Sequence, residues 1–204
     1  HIGTNITDTT NKTFLCPNKV GLAICGDSSI NGRPIAGFIE EFLLNKVTKD
    51  TPIDEMPEMI IEYFDAVAPK LRSVFFVVGY QKNRDHYEQR LYDVNTFERK
   101  YRKFDNVNQG AIWQGEMDIL TKLLTKTFAK NGNQLMEIPQ FDIAWNLFNL
   151  QDAINFAEFA IKTTADTMSF QNRLKTVGGP IDILVIKPEE AIWIKKKNLH
   201  ANEK

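Results

Sequence analysis

The run of residues 73–80 constrains the fold more than any other segment. Its members at positions 74–78 are all apolar, and they are valine and phenylalanine, which favour β-strands. Apolar side chains at consecutive positions point to both faces of a strand, so both faces need cover. The run is also far too short to cross a membrane as a helix. The sequence therefore predicts a central strand with further layers on each side.

Apolar spacing and turn residues predict helices and strands on either side of this run. Proline and glycine mark several of the boundaries. The predicted helices are Ile35–Lys46, Met56–Val67, 116–130 and 151–168. The other predicted strands are Thr13–Leu15, 20–25, 87–94, 97–104, 110–113, 181–186 and 191–194. Hairpin connections imply antiparallel sheets, and helices between blocks of strands predict an α+β fold with layers on both sides of a sheet pair.

Composition narrows the class of protein. The 204 residues carry 25 basic and 26 acidic side chains, which gives a formal charge of −1. This balance is typical of a globular chain and argues against a dedicated nucleic-acid binder. We expect one domain over residues 1–204, with residues 195–204 as a polar tail. Because no secretory signal is visible, we expect a cytoplasmic protein.

Cysteine and histidine usage gives no sign of a disulfide framework or a metal centre. Cys16 and Cys25 are the two cysteines, and we expect both to be reduced thiols. His1, His86 and His200 lie far apart in sequence, and none has a second ligand at zinc spacing. We therefore predict no metal site.

Two parts of the chain share an order of lysine, strand, glycine and helix with a known family. The segments NKTFL (residues 11–15) and VGLAICGD (residues 20–27) contain Lys12 and Gly26. Near the other end, a helix from Gln151 is followed by GGPIDILVI at residues 178–186. In this order and spacing, from residue 11 to 194, the chain resembles the proteasome-type subunits of the N-terminal-nucleophile (Ntn) hydrolase superfamily. The resemblance implies a four-layer αββα sandwich with antiparallel sheets.

The resemblance also implies peptide-bond hydrolysis by an N-terminal threonine. In that family the threonine amine is the base for its own hydroxyl, a lysine stabilises the anionic nucleophile, and a backbone N–H binds the oxyanion. Carried over, Lys12 is the lysine and Gly26 supplies the N–H, with no metal or organic cofactor. We expect the nucleophile upstream of Lys12, outside this sequence. The implied pocket residues are Ile24, Asp27, Ser28, Gly110 and Trp113.

Simpler interpretations stand beside the pocket roles. Asp27 and Ser28 follow a strand and could equally form a turn or a helix cap. Trp113 could anchor the following helix to a sheet instead of forming a pocket wall. These alternatives make no use of a substrate.

The sequence leaves catalytic competence open. Leu174 and Val177 stand where the family commonly has an Asp and a Ser, and Ala111 stands where a Ser commonly follows a Gly. Either an upstream pair of strands supplies the nucleophile, or the site is degenerate and the fold serves as a non-catalytic assembly or binding member. An Ntn amidase acting on small amides is a second alternative.

The resemblance has consequences for partners. It implies self-association into a ring or a stacked oligomer, with Ile35–Lys46 and Met56–Val67 as the contact helices. If the chain is active, the substrate is a peptide or a small amide. We expect no nucleic-acid partner and no membrane partner.

Overall fold

The computed structural model of this chain describes residues 10–105 and 108–198. The described residues divide into two compact units, each of which is considered by itself. Unit 1 is formed by residues up to 105 and from 180 onward, and unit 2 by residues 108–179. The expectation of one domain remains a prediction.

The chain is an α+β protein with antiparallel sheets. Its helices are α1 (Ile35–Lys46), α2 (Met56–Val67), α3 (Asp118–Leu124) and α4 (Leu150–Met168), with short 3-10 turns at Ile53–Glu55 and Trp145–Leu147. The strands from β1 to β6 are Thr13–Leu15, Gly21–Gly26, Ser29–Ile30, Arg33–Pro34, Ser73–Asn83 and His86–Asn95. The strands from β7 to β11 are Lys100–Lys103, Phe128–Asn131, Gln134–Glu137, Ile183–Ile186 and Ala191–Lys195.

Unit 1 is built on a five-stranded antiparallel sheet in the order β1-β2-β5-β6-β7. The predicted central strand is β5, which pairs with β2 and β6 on its two sides. The predictions for β1, α1 and α2 are confirmed at both ends of each element. Strand β7 is an exposed edge, as the charged residues of that segment lead one to expect.

One face of this sheet is covered by α1 and α2. Alternate residues of β5, including Phe75 and Val77, are buried in one cluster with α1 and α2. Full burial of an aliphatic or aromatic side chain of this size stabilises a fold by about 1.5–3 kcal/mol. The largest fully buried side chains of this cluster are Leu22, Ile35, Ile39, Phe42, Met56, Ile60, Phe64, Phe75, Val77 and Val94.

The hairpin of β10 and β11 lies on the other face of the sheet. Gly21 pairs with Val78 on β5, on the face opposite to Leu22. A β-carbon built on Gly21 would lie 3.3 Å from side-chain atoms of Ile186 and Leu184. The close approach of the hairpin therefore occurs where the sheet has no side chain.

Unit 2 departs from two predictions. The expected helix over residues 116–130 is wrong beyond Leu124, because Phe128–Asn131 pairs with Gln134–Glu137 as a hairpin. Gly132 and Asn133 form the two-residue turn of that hairpin, and glycine at the first of these positions, with φ +62°, favours such turns. The expected strand at residues 110–113 is also wrong, since this segment has no regular structure.

The longest helix of unit 2 has a well-defined start. The Asn149 side chain accepts from the Asp152 N–H at 3.0 Å, and the Asp152 carboxylate accepts from the Asn149 N–H at 3.0 Å. This reciprocal pair satisfies two of the free donors at the helix start. Beside it, the Trp145 ring packs against Phe148 and Phe156, with centroids 5.1 Å and 4.8 Å away.

Candidate functional site

Lys12, which directly precedes β1, and Gly26, on β2, lie at one end of the sheet of unit 1. The Ile24 N–H donates to the carbonyl oxygen of Lys12 at 2.9 Å, so Lys12 lies opposite Ile24. Gly26 follows two positions later, as the last residue of β2. With ordinary strand geometry the Cα atoms of Lys12 and Gly26 are roughly 9 Å apart. The structure therefore brings these two predicted residues into one neighbourhood.

The backbone at Gly26 accommodates no other residue. Its φ is +109°, and a β-carbon there would lie 2.1 Å from the Arg72 carbonyl oxygen and 2.8 Å from the Ser73 Cα. Both neighbours are backbone atoms, which cannot turn aside as a flexible side chain can. Glycine is therefore required by conformation and by space.

The N–H of Gly26 points away from β5. The Asp27 N–H donates to the Arg72 carbonyl at 3.0 Å, which makes Gly26 and Ser73 a pair without mutual hydrogen bonds. In agreement, the Ser73 carbonyl accepts from the Thr96 N–H at 3.1 Å, on the other side of β5. Gly26 is exposed, and its N–H has no hydrogen-bond partner within residues 10–105 and 108–198. A backbone donor is thus available at this end of the sheet.

Lys12 is exposed, and its charge reaches the end of β2. Burial raises the pKa of the Cys25 thiol, while a hydrogen bond with the Val74 backbone and the charge of Lys12 act in the opposite direction. Cys25 directly precedes Gly26, so this influence of Lys12 concerns the residue beside the free N–H. Both cysteines are free thiols, as predicted.

The other predicted pocket residues of unit 1 have structural contacts. The Asp27 carboxylate accepts from the Arg72 N–H at 2.8 Å, and the Ser28 carbonyl accepts from the Ile35 N–H at 3.0 Å. These bonds fix the turn after β2 and the start of α1. Ile24 is buried in the core cluster with the helices.

A buried ion pair beside β1 had no signal in the sequence. The Lys197 Nζ lies 3.2 Å from Asp182 Oδ2 and donates to the Thr10 carbonyl at 3.0 Å. Asp182 Oδ1 also accepts from the Lys197 N–H at 2.7 Å. The two side chains are only 11% and 6% exposed. Lys197 thus differs from the solvated tail expected for residues 195–204, of which 199–204 lie outside the described residues.

Gly110 and Trp113 belong to unit 2. Gly110 is exposed, and the indole N–H of Trp113 donates to the Thr121 hydroxyl of α3 at 3.4 Å. This contact ties Trp113 to the helix that follows it, which is the simpler of its two interpretations. Leu174, in the same unit, is exposed.

Two kinds of site are absent from the described parts of the chain. Residues 10–105 and 108–198 contain no group of three His, Cys, Asp or Glu side chains placed to hold a metal ion. Within the same residues, the helices are too short or too polar to span a membrane.

Comparison with known proteins gives no relative. No protein-family model matches the chain, and no curated protein or solved structure is significantly similar to it. Functional inference therefore rests on the residues and their geometry.

Proposed function

We propose that this chain is a proteasome-like member of the Ntn-hydrolase superfamily that hydrolyses amide bonds of peptides. The observation that carries the proposal is the Gly26 N–H. It is an exposed backbone donor that makes no hydrogen bond to β5, and the φ of Gly26 favours glycine. Preorganised N–H donors of this kind are what acyl transfer needs at the developing oxyanion. Lys12, just before the adjacent strand β1, adds positive charge to the same region.

The layers of unit 1 also support the proposed αββα sandwich. Helices α1 and α2 cover one face of the five-stranded sheet, and a strand hairpin covers part of the other face. A helix layer, a sheet and further strands on the opposite face correspond to three of the four layers of such a sandwich. Additional strands beside β10 and β11 would complete the second sheet.

The proposed reaction uses a Thr, Ser or Cys at the start of the mature chain. Its hydroxyl or thiol attacks the carbonyl carbon of the substrate, and its proton passes to the terminal amine. The carbonyl oxygen becomes an oxyanion that accepts a hydrogen bond from the Gly26 N–H. Collapse breaks the C–N bond, the amine leaves with the proton, and water then hydrolyses the acyl-enzyme. Lys12 stabilises the anionic nucleophile through its charge.

The test begins with the protein from its natural source. Intact mass and N-terminal sequencing identify the first residue, and a panel of fluorogenic peptides and small amides measures hydrolysis. We expect an N-terminal Thr, Ser or Cys and peptide cleavage. A mature chain that starts with any other residue would overturn the mechanism.

Lys12→Met is the informative variant, because no substitution at Gly26 leaves the backbone intact. We expect kcat to fall by roughly 100-fold or more, since the charge that stabilises the nucleophile is removed. Lys100→Met, which removes an exposed lysine from the edge strand β7, is the matched control and should leave kcat unchanged. Equal activity of the two variants would contradict the role of Lys12.

A second candidate function is assembly without catalysis. Helix α4 exposes Leu150 and Ile161, whose surfaces are 50% and 41% accessible, and their spacing along the helix places both on one face. Exposed apolar side chains on one helix are typical of a contact surface between proteins. Sedimentation velocity distinguishes this candidate: an oligomer that Ile161→Asp dissociates supports it, and a monomer at all concentrations contradicts it.

A further inference from the structure

The ion pair of Lys197 and Asp182 lies where β1 would continue toward Gly26. Thr13 pairs with Ala23, and the Lys12 carbonyl accepts from Ile24. The same register, extended by two residues, sets Thr10 opposite Gly26. In an antiparallel ladder, the N–H groups of residues 24 and 26 point to the same side of the strand. An uninterrupted ladder would therefore direct the Gly26 N–H to the Thr10 carbonyl.

The Thr10 carbonyl has a different donor in the structure. It accepts from the Lys197 Nζ at 3.0 Å, and that ammonium group is itself held by Asp182 Oδ2 at 3.2 Å. Asp182 is fixed in turn, because its Oδ1 accepts from the Lys197 N–H at 2.7 Å. The side chains are 11% and 6% exposed, so this arrangement is shielded from competing water.

We propose that Lys197 is a positioning residue that keeps the Gly26 N–H free. By accepting from the Lys197 ammonium group, the Thr10 carbonyl is directed toward the β10–β11 hairpin, so that β1 does not extend by one more pair and the Gly26 N–H stays available to an anionic oxygen. The value of that free donor for hydrolysis rests on the proposed function. The choice of donor for the Thr10 carbonyl does not, because it concerns hydrogen bonds within the protein and no substrate.

The test replaces the ammonium group without leaving a buried charge. Lys197→Met alone would strand the Asp182 carboxylate, so the double variant combines Lys197→Met with Asp182→Asn, whose amide oxygen can still accept from the backbone N–H. Lys197→Arg retains a cationic donor and serves as the conservative variant. Lys187→Met, which removes the exposed ion pair with Glu190 in the same hairpin, is the matched control.

The primary readout is amide hydrogen exchange of Gly26 by NMR. In the unmodified protein we expect fast exchange at Gly26 and slow exchange at Ile24, whose N–H donates a hydrogen bond to the Lys12 carbonyl. In the double variant the Thr10 carbonyl becomes available, and exchange at Gly26 should slow by roughly 10-fold or more. Lys197→Arg and Lys187→Met should leave it fast. Protection of Gly26 in the unmodified protein, or unchanged exchange in the double variant, would overturn the proposal.

Hydrolysis by the natural mature protein separates this proposal from the proposed function. If both hold, the double variant slows exchange and loses roughly 100-fold in kcat with KM little changed, as expected for an oxyanion donor. If exchange slows but the unmodified protein hydrolyses nothing, the role of Lys197 stands and the hydrolase proposal fails. If hydrolysis occurs and exchange at Gly26 does not respond, the hydrolase proposal stands and the role of Lys197 fails.

Discussion

A β-carbon on Gly26 would lie 2.1 Å from the carbonyl oxygen of Arg72. Because the neighbouring atoms are backbone and φ is +109°, Gly26→Ala must move either β2 or β5. We expect the free energy of unfolding in urea to fall by about 3 kcal/mol. Gly37→Ala in α1 is the control, since a β-carbon there would have no atom within 4 Å apart from its chain neighbours and the nearby backbone of its own helix. It should stabilise the protein by about 0.5–1 kcal/mol, and a loss at Gly37 as large as that at Gly26 would contradict the assignment.

Arg90 joins β6 to the 3-10 turn before α2. Its guanidinium donates to Asp54 at 3.0 Å and to Glu88 at 2.6 Å, and its side chain is only 11% exposed. Arg90→Met leaves both carboxylates without this donor, so we expect a loss of about 2 kcal/mol in urea unfolding. Arg102→Met, which removes an exposed contact with Asp93, should cost less than about 1 kcal/mol. Equal losses would show that burial of Arg90 is unimportant.

Glu88 should make stability depend on pH in acid. Hydrogen bonds with Arg90, Asn83 and His86 lower the pKa of Glu88 to about 2. Because this value is below that of the unfolded chain, about 4.3, the stabilising contribution is complete above the unfolded value and disappears as pH falls toward 2. Urea unfolding of the wild type and of Glu88→Gln should therefore converge as pH falls from about 5 to about 2. A constant difference across that range would contradict the assignment, and Arg90→Met should weaken the dependence.

Phe156 should contribute most of the aromatic packing in unit 2. Its ring centroid lies 4.8 Å from Trp145, 6.0 Å from Phe148 and 6.1 Å from Phe159. Phe156→Ala removes all three contacts, and we expect it to lower the free energy of unfolding of unit 2 by about 2 kcal/mol. Tryptophan fluorescence during urea unfolding measures this loss. Phe170→Ala, at a side chain that is 92% exposed, should change stability by less than about 0.5 kcal/mol. A larger effect at Phe170 would be unexpected.

Local patterns predicted the sheet and the first two helices of unit 1 closely. The apolar spacing of Ile35–Lys46 and Met56–Val67 is unambiguous, and prolines lie at or near the start of both helices. Phe128 misled the prediction in unit 2, because its position also fits a helical stripe that begins at Met117. The turn at Gly132 allows Phe128–Asn131 to pair with Gln134–Glu137, and this hairpin takes the place of the last turns of the expected helix.

The candidate site was partly accessible from sequence. Gly26 comes directly after the predicted strand 20–25, and a glycine at such a position suggests a backbone with positive φ. The contacts that give the site its geometry join residues far apart in the chain, such as Asp27 with Arg72 and Thr10 with Lys197. No local pattern predicts such pairs, because the fold alone decides which distant residues meet.

The hydrogen bond from Lys197 to Thr10 also sets an order of events during synthesis. Residues 108–179 form unit 2 and leave the ribosome before β10 and β11, so unit 1 is interrupted in the chain by another compact unit. Until translation passes Lys197, the nascent sheet around Gly21 has no Ile186 or Leu184 over it, and the Thr10 carbonyl lacks its cationic donor. Unit 2 can therefore fold before unit 1 is complete, because one face of the first-made strands stays uncovered until the last-made hairpin is present.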